Sequence, residues 1–204
     1  MSFRLFVEKT STSYSFSSLQ FDLPQFLADK VMDWGQKHIP EKNVFTAENK
    51  FGREDNIHLT VLYGIHAQEP HRIVKILRSY PQFNIKLGPI SLFTTDERFD
   101  VLKIDVKSED LMKLNKFIRD SIPYSTKHKS YQPHITIAYI KKGTCRDLVG
   151  KQPFDQEIEV KNLIFSSKNG SKSKIRLTKS NYLHEAYIGY GLSERPNQWC
   201  FNYN

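Results

Sequence analysis

Apolar positions along the chain switch between two periods, and the same switch occurs twice. Leu19, Phe21 and Leu23 alternate with polar neighbours, the period-two pattern of a strand with one buried face. Leu27, Val31, Trp34 and His38 then recur at helical spacing. That helix should stop near Ile39, because the residue before Pro40 is disfavoured in the α region. The succession returns downstream. Leu102, Ile104 and Val106 alternate, Leu111, Leu114, Ile118 and Ile122 follow at helical spacing, and Pro123 closes the run. Residues 16–40 and 99–123 align without gaps at an offset of 83 (99 − 16), with Phe, Leu, Asp, Lys and Ile-Pro in register.

After each Ile-Pro a polar loop leads to a second strand, IHLTVLYGI at 57–65 and PHITIAYIK at 133–141. The loops differ in length, so the offset falls to 76 (134 − 58). A helix pattern over 69–80 follows the first of these strands, and a single turn near 146–149 follows the second. Strand material closes each half, at 83–95 in the first and at 157–167 and 174–179 in the second. The pattern predicts an α+β fold: a bilobal, pseudo-symmetric duplication of two mostly antiparallel sheets, with helices packed outside and a central cleft. A single domain should span 1–204, with lobes at 15–98 and 99–180 and an aromatic C-terminal extension at 181–204.

Composition narrows the class. A chain of 204 residues can bury a sizeable core, and 13% aromatics are foreign to a disordered tail. No apolar run approaches the roughly 18 residues of a membrane span. The start, MSFRLFVEKTSTS, lacks a basic region followed by a long apolar stretch, and Cys145 and Cys200 have no metal-ligand spacing. These features predict a cytoplasmic protein without a metal, a cofactor, a membrane partner or an obligate protein partner. Lys+Arg 30 against Asp+Glu 22 leaves a net charge of +8, which favours anionic partners. The basic residues are scattered, with local concentrations at 127–129, 141–142 and 168–174, so they suit loops around a pocket better than a polybasic arm.

The candidate chemistry lies in the second strand of each half. His58-Leu59-Thr60-Val61 and His134-Ile135-Thr136-Ile137 occupy equivalent positions. By alternation Ile57, Leu59, Val61, Tyr63 and Ile65 form a packed face, and His58 and Thr60 look the other way with Leu62 and Gly64. Ile135, Ile137 and Tyr139 are packed in turn, and His134 and Thr136 share the opposite face with Ala138 and Ile140. One His-x-Thr on a strand is commonplace, whereas two at duplicated positions on the same face call for an explanation. One neutral imidazole can accept a proton while its protonated partner donates one. Each threonine hydroxyl can donate to a non-bridging phosphate oxygen. Facing each other across a phosphodiester, these four side chains form an acid/base pair with two phosphate ligands.

Two H-x-T-x motifs in a duplicated context resemble the 2H phosphoesterases, the superfamily of 2′-5′ RNA ligase-like proteins. The resemblance covers roughly 15–180 and implies a metal-independent phosphodiesterase with catalytic His58, Thr60, His134 and Thr136. The texture is most similar to the phage anti-CBASS phosphodiesterases: a Ser-rich first strand ending in Asp-Leu-Pro, a helix ending in His-Ile-Pro, and Gly-Arg-Glu-Asp ahead of the first motif. It implies hydrolysis of 3′-5′ bonds in cyclic di- or trinucleotide messengers, in the host cytoplasm if the protein is viral. By position, the resemblance also marks Lys50 as a substrate-binding lysine before the first motif. Gly52 and Arg53 share that loop, and Lys127, His128 and Lys129 stand in the matching one. Gln20 and Lys103 fall on the non-core face of the paired first strands, which makes them candidates for the cleft floor.

Tyr14 is placed to stack on a nucleobase, and the tail that carries Trp199 offers either a stacking lid or an edge strand. Two further readings stand beside the cyclic-oligonucleotide one. The first keeps the mechanism and changes the substrate to RNA 2′,3′-cyclic phosphates or 2′-5′ linkages. The second is a non-catalytic RNA-binding module, which would stack bases on exposed sheet aromatics. Thr, Leu, Gly, Ala and Ile beside the histidines favour catalysis.

Overall fold

Residues 15–47, 51–126 and 130–179 are described by the computed structural model. The chain runs β1 (Ser17–Asp22), α1 (Gln25–His38), β2 (His58–Ile65), α2 (His71–Leu77), β3 (Phe83–Phe93), β4 (Phe99–Lys107), α3 (Glu109–Ser121), β5 (His134–Lys141), β6 (Glu157–Val160), β7 (Asn162–Ser166) and β8 (Lys172–Arg176). Single 3₁₀ turns lie at Glu41–Asn43 and Arg146–Leu148. Both predicted stops hold. Ile39 and Ile122, each before a proline, are extended, and the helices end one residue earlier. α3 is also capped: the Ser108 hydroxyl accepts from the Leu111 amide at 3.2 Å, and Glu109 and Asp110 occupy the first turn. No helix among the described residues is long and apolar enough to cross a membrane.

The strands order as β6-β3-β4-β5-β2-β1-β7-β8, every neighbour antiparallel. The expected pair of antiparallel sheets is present as β6-β3-β4-β5 and β1-β2 with β7-β8. They meet in a single pair, Leu59 opposite Ile135, so the two lobes continue as one eight-stranded order. The strand order is symmetric about this pair, so that β2 corresponds to β5, β1 to β4, β7 to β3 and β8 to β6.

The lobes are not the sequence halves. β3 closes the first half yet pairs with β4, and β7 belongs to the second half yet pairs with β1. Each half therefore lends its closing strand to the other lobe. This exchange explains why 157–167, expected as one strand, breaks at Lys161: β6 pairs with β3 in one lobe and β7 with β1 in the other.

The core face of the sheet carries Leu19, Phe21, Leu59, Val61, Leu102, Ile104, Ile135 and Ile137, covered by Leu27 and Val31 of α1 and by Leu111, Leu114 and Ile118 of α3. The helices cross the seam. A Cβ on Gly35 of α1 would stand 3.0 Å from Ile137 on β5, and the Asn115 amide of α3 donates to the Val61 carbonyl of β2 at 2.7 Å.

Alternation fails beyond the motifs, in the same way in both halves. Leu19 pairs with Leu62 but Gln20 with Thr60; Leu102 pairs with Ala138 but Lys103 with Thr136. The extra residues, Val61 and Ile137, are β-bulges that move the following side chains to the opposite face, until in β2 a second irregularity at Gly64 returns Ile65 to the core. Leu62, Ala138 and Ile140, expected beside the histidines, are buried in the core. Tyr63, expected in the core, is 49% exposed on the open face, and Tyr139 is half-buried there.

Above the seam the edges of β2 and β5 are taken by loops. Phe45 and Glu54 donate backbone N–H groups to Tyr139 and Ile137. On the other side Ser125 donates to Gly64, whose φ of 91° suits glycine. A Cβ there would stand 1.7 Å from the Ser125 carbonyl oxygen. The wedged loops hold the two strands apart everywhere except at the seam.

Candidate active site

The seam pair brings the two motifs together. One step to either side of Leu59 and Ile135 sets His58 across from Thr136 and Thr60 across from His134, all on the open face of the sheet. The four side chains are half-buried. Each imidazole is held in the same way. His58 Nδ1 lies 2.7 Å from the Asn56 carbonyl, and His134 Nδ1 lies 2.7 Å from the Gln132 carbonyl. A carbonyl only accepts, so Nδ1 carries a proton in both rings and Nε2 is the nitrogen left for another partner. The Tyr131 hydroxyl, whose pKa burial pushes up, donates to the Thr60 carbonyl at 2.9 Å and ties the loop before β5 to β2.

The next strand outward supplies a second row. Gln20 lies opposite Thr60 and Asp22 opposite His58; Lys103 lies opposite Thr136 and Asp105 opposite His134. The Gln20 amide donates to Asp22 Oδ1 at 2.6 Å. In the other lobe the Lys103 ammonium donates to Asp105 and, at 2.7 Å, to Ser91 Oγ, and lies 4.3 Å from the centre of the Phe93 ring. Phe93 in turn meets His134 edge-on at 4.8 Å. Gln20 and Lys103 are thus the floor residues expected from sequence. Asp22 and Asp105 were missed, although the offset of 83 relates them as it relates Gln20 to Lys103.

This second row makes the site electrostatically unequal. His134 has its pKa lowered: burial disfavours the imidazolium, the hydrogen bond to Gln132 opposes that, Lys103 lowers it further, Asp105 raises it, and His58 adds repulsion. Glu54, also overlooked in the sequence, has its carboxyl pushed up by burial, partly offset by attraction to His58 and reinforced by Asp55.

Other candidates fare differently. Arg53, considered as a substrate cation, donates to Glu41 Oε2 at 2.5 Å and to the Ile39 carbonyl at 2.6 Å, which anchors its loop to the end of α1. Lys50, Tyr14 and Trp199 lie outside the described residues, as do Lys127, His128 and Lys129.

The model of the 2′-5′ RNA ligase superfamily matches residues 47–167, more than half of the chain and both motifs. The chain belongs to this superfamily, the 2H phosphoesterases. In fold it is similar to Escherichia coli LigT complexed with 3′-AMP, at 17% identity and a TM-score of 0.58, over 80% of this chain and 95% of that one. It is similar to TT0787 of Thermus thermophilus at 15% identity and a TM-score of 0.55, over 81% and 99% of the two chains. A solved phosphoesterase aligns at 17% identity and a TM-score of 0.57, over 80% and 95%. No curated protein matches the chain in sequence.

Proposed function

We propose that this protein is a phosphodiesterase in which His134 is the general base, His58 the general acid, and Thr60 and Thr136 the phosphate ligands. The observation that carries the reading is the matched pair of Nδ1 hydrogen bonds on the two strands of the seam, which leaves both Nε2 atoms for chemistry on one face. His134 Nε2 takes the proton of the attacking hydroxyl or water as its oxygen bonds to phosphorus. His58 Nε2–H gives its proton to the leaving oxygen as the other P–O bond breaks. The threonine hydroxyls donate to the non-bridging oxygens, whose charge grows in the transition state. Burial and the Lys103 ammonium disfavour a charged His134, so the base is assigned there. Both proton transfers fall to imidazoles, so the reaction as written has no step for a metal.

The substrate we place first is a cyclic di- or trinucleotide opened at a 3′-5′ bond in the cytoplasm. Such an enzyme in a phage would disarm the CBASS defence of its host. Support comes from the Ser-rich first strand, the His-Ile-Pro helix end and the Gly-Arg-Glu-Asp segment before the first motif. A second substrate reading, RNA 2′,3′-cyclic phosphates or 2′-5′ linkages, is favoured by the superfamily match and by the LigT complex with 3′-AMP. The test is incubation with cyclic and linear oligonucleotides in EDTA, with products separated by chromatography. Hydrolysis that appears only when metal is added refutes the two-histidine mechanism.

A further inference from the structure

The open face does not end at the catalytic quartet. Cross-strand partners project from the same face, so the pairings define rows that run outward across lobe one, the β2-β1-β7-β8 sheet, as opposed to lobe two, β5-β4-β3-β6. One row is Thr60, Gln20, Ile164 and Lys174; the next is Tyr63, Ser18, Ser166 and Lys172. The first passes the buried Gln20 and the half-buried Ile164, the second the half-buried Ser18 and Ser166, and both end on edge strand β8. There Lys172, Lys174 and Arg176 are exposed and, among the described residues, form no ion pair with a carboxylate. A cleft of about 490 Å³ borders this end at Asn162, Lys174 and Arg176, large enough for a nucleotide-sized group.

Among the described residues, lobe two lacks the equivalent path. Its edge strand β6 presents Glu157 and Glu159. Its counterpart of Tyr63 is Tyr139, met edge-on by Phe51 at 5.0 Å and by Phe99 at 5.4 Å, so that end of the open face is filled by aromatic rings. Tyr63 keeps about half of its surface exposed, with Phe16 edge-on at 6.2 Å and Phe16 stacked on His66 at 5.5 Å beside it.

We infer that the open face of lobe one, from Thr60 to β8, is the binding track for the nucleotides flanking the scissile phosphate on one side. Lys172, Lys174 and Arg176 receive the non-scissile phosphates, and Tyr63 supplies a stacking surface for a base. The inference rests on the phosphodiesterase reading and narrows its substrate class. Three strand spacings of about 4.8 Å separate Thr60 from Lys174, roughly 14 Å. An oligonucleotide spans that distance, and a mononucleotide does not.

The experiment follows binding of a fluorescein-labelled hexauridylate to the His134→Ala protein across a salt series. A single-stranded ligand loses about 0.7 from the slope of log K against log salt for each phosphate contact removed. Lys172→Gln/Lys174→Gln/Arg176→Gln should therefore lower the slope by about 2. Tyr63→Leu should weaken binding about tenfold and leave the slope alone, since stacking releases no counterions. Removal of three exposed lysines from the helices, Lys30→Gln/Lys37→Gln/Lys75→Gln, should not move the slope.

Equal slopes for the two triple variants would overturn the track. Binding with the expected slope change, but no cleavage of any oligonucleotide by the native chain, would refute the catalytic reading and leave the track standing. Cleavage of a nucleoside 2′,3′-cyclic phosphate, with no slope change in the β8 variant, would refute the track alone.

Discussion

Lys103→Gln isolates the electrostatic difference between the two motifs, because the other lobe already holds the result of that change. Gln20 occupies the place related to Lys103 by the duplication and donates to Asp22 much as Lys103 donates to Asp105. The substituted amide therefore has a carboxylate partner within reach, and the variant should fold with a melting temperature within a few degrees of the parent. Cross-strand geometry puts the ammonium about 6 Å from a phosphate held at Thr136. Two unit charges at that distance and an effective dielectric of about 20 interact by about 2.8 kcal/mol. The Asp105 carboxylate, paired with the same ammonium, cancels about half, leaving about 1.4 kcal/mol, or tenfold in kcat/KM.

The pH profile gives the sharper reading. Lys103 lowers the His134 pKa and Asp105 raises it, so loss of the lysine moves that pKa up. With His134 as base, the acid limb of kcat/KM shifts to higher pH and the variant is most impaired on the acid side. The assay is kcat/KM from about pH 5 to pH 9, a window that brackets the ordinary imidazole range, for parent and variant on one oligonucleotide. A shift confined to the alkaline limb would reverse the roles of the two histidines. Unchanged kcat/KM at every pH would show that Lys103 has no electrostatic hold on the site.

His58→Ala and His134→Ala should each lower turnover by about 10²–10⁴, and the double variant should cost little more than the worse single one; near-normal single-turnover rates in either would remove that residue from the mechanism. Thr60→Val and Thr136→Val remove a donor and no titrating group, so each should slow the reaction about 10–100-fold at all pH with both limbs of the bell in place. Asp100 has a fully buried side chain, and although burial alone would raise its pKa, the Gly143 amide, Lys142 and Arg146 hold it below the usual carboxylate range. Its stabilisation is therefore present above about pH 4 and lost as pH falls through the folded pKa. Asp100→Asn should cost about 1.5–3 kcal/mol in urea unfolding at pH 7. The gap to the parent should close at low pH, and a gap independent of pH would refute the assignment.

The repeat, both helix stops and the two histidine strands were legible because they rest on local rules: period two, period 3.6 and the proline restriction. The partnership of Gln20 and Lys103 with the motifs was legible in part, since their side of the strand follows from the same alternation. Two features were not legible. The bulges at Val61 and Ile137 involve apolar residues that look like regular strand, and only the register against β1 and β4 reveals the face change. Tyr63 consequently emerged on the open side rather than in the core. The exchange of β3 and β7 was hidden for another reason, as sequence order says which strands exist but not which edge each will join. The Lys103–Asp105 pair lay within reach of the offset of 83, since each carboxylate stands two positions after a floor residue.

The exchanged strands also set how the chain comes together during synthesis. β1 cannot be sealed until β7 arrives, and the pair Gln20–Ile164 spans 144 positions (164 − 20). At about 5–20 residues per second the ribosome needs roughly 7–30 s to cover that stretch. Throughout that interval the nascent first half exposes the outer edge of β1, and β3 has no neighbour until β4 follows. Neither half closes a sheet on its own. Two genes encoding the halves separately would yield chains obliged to find each other, so covalent fusion of the repeats converts a bimolecular assembly into an intramolecular one.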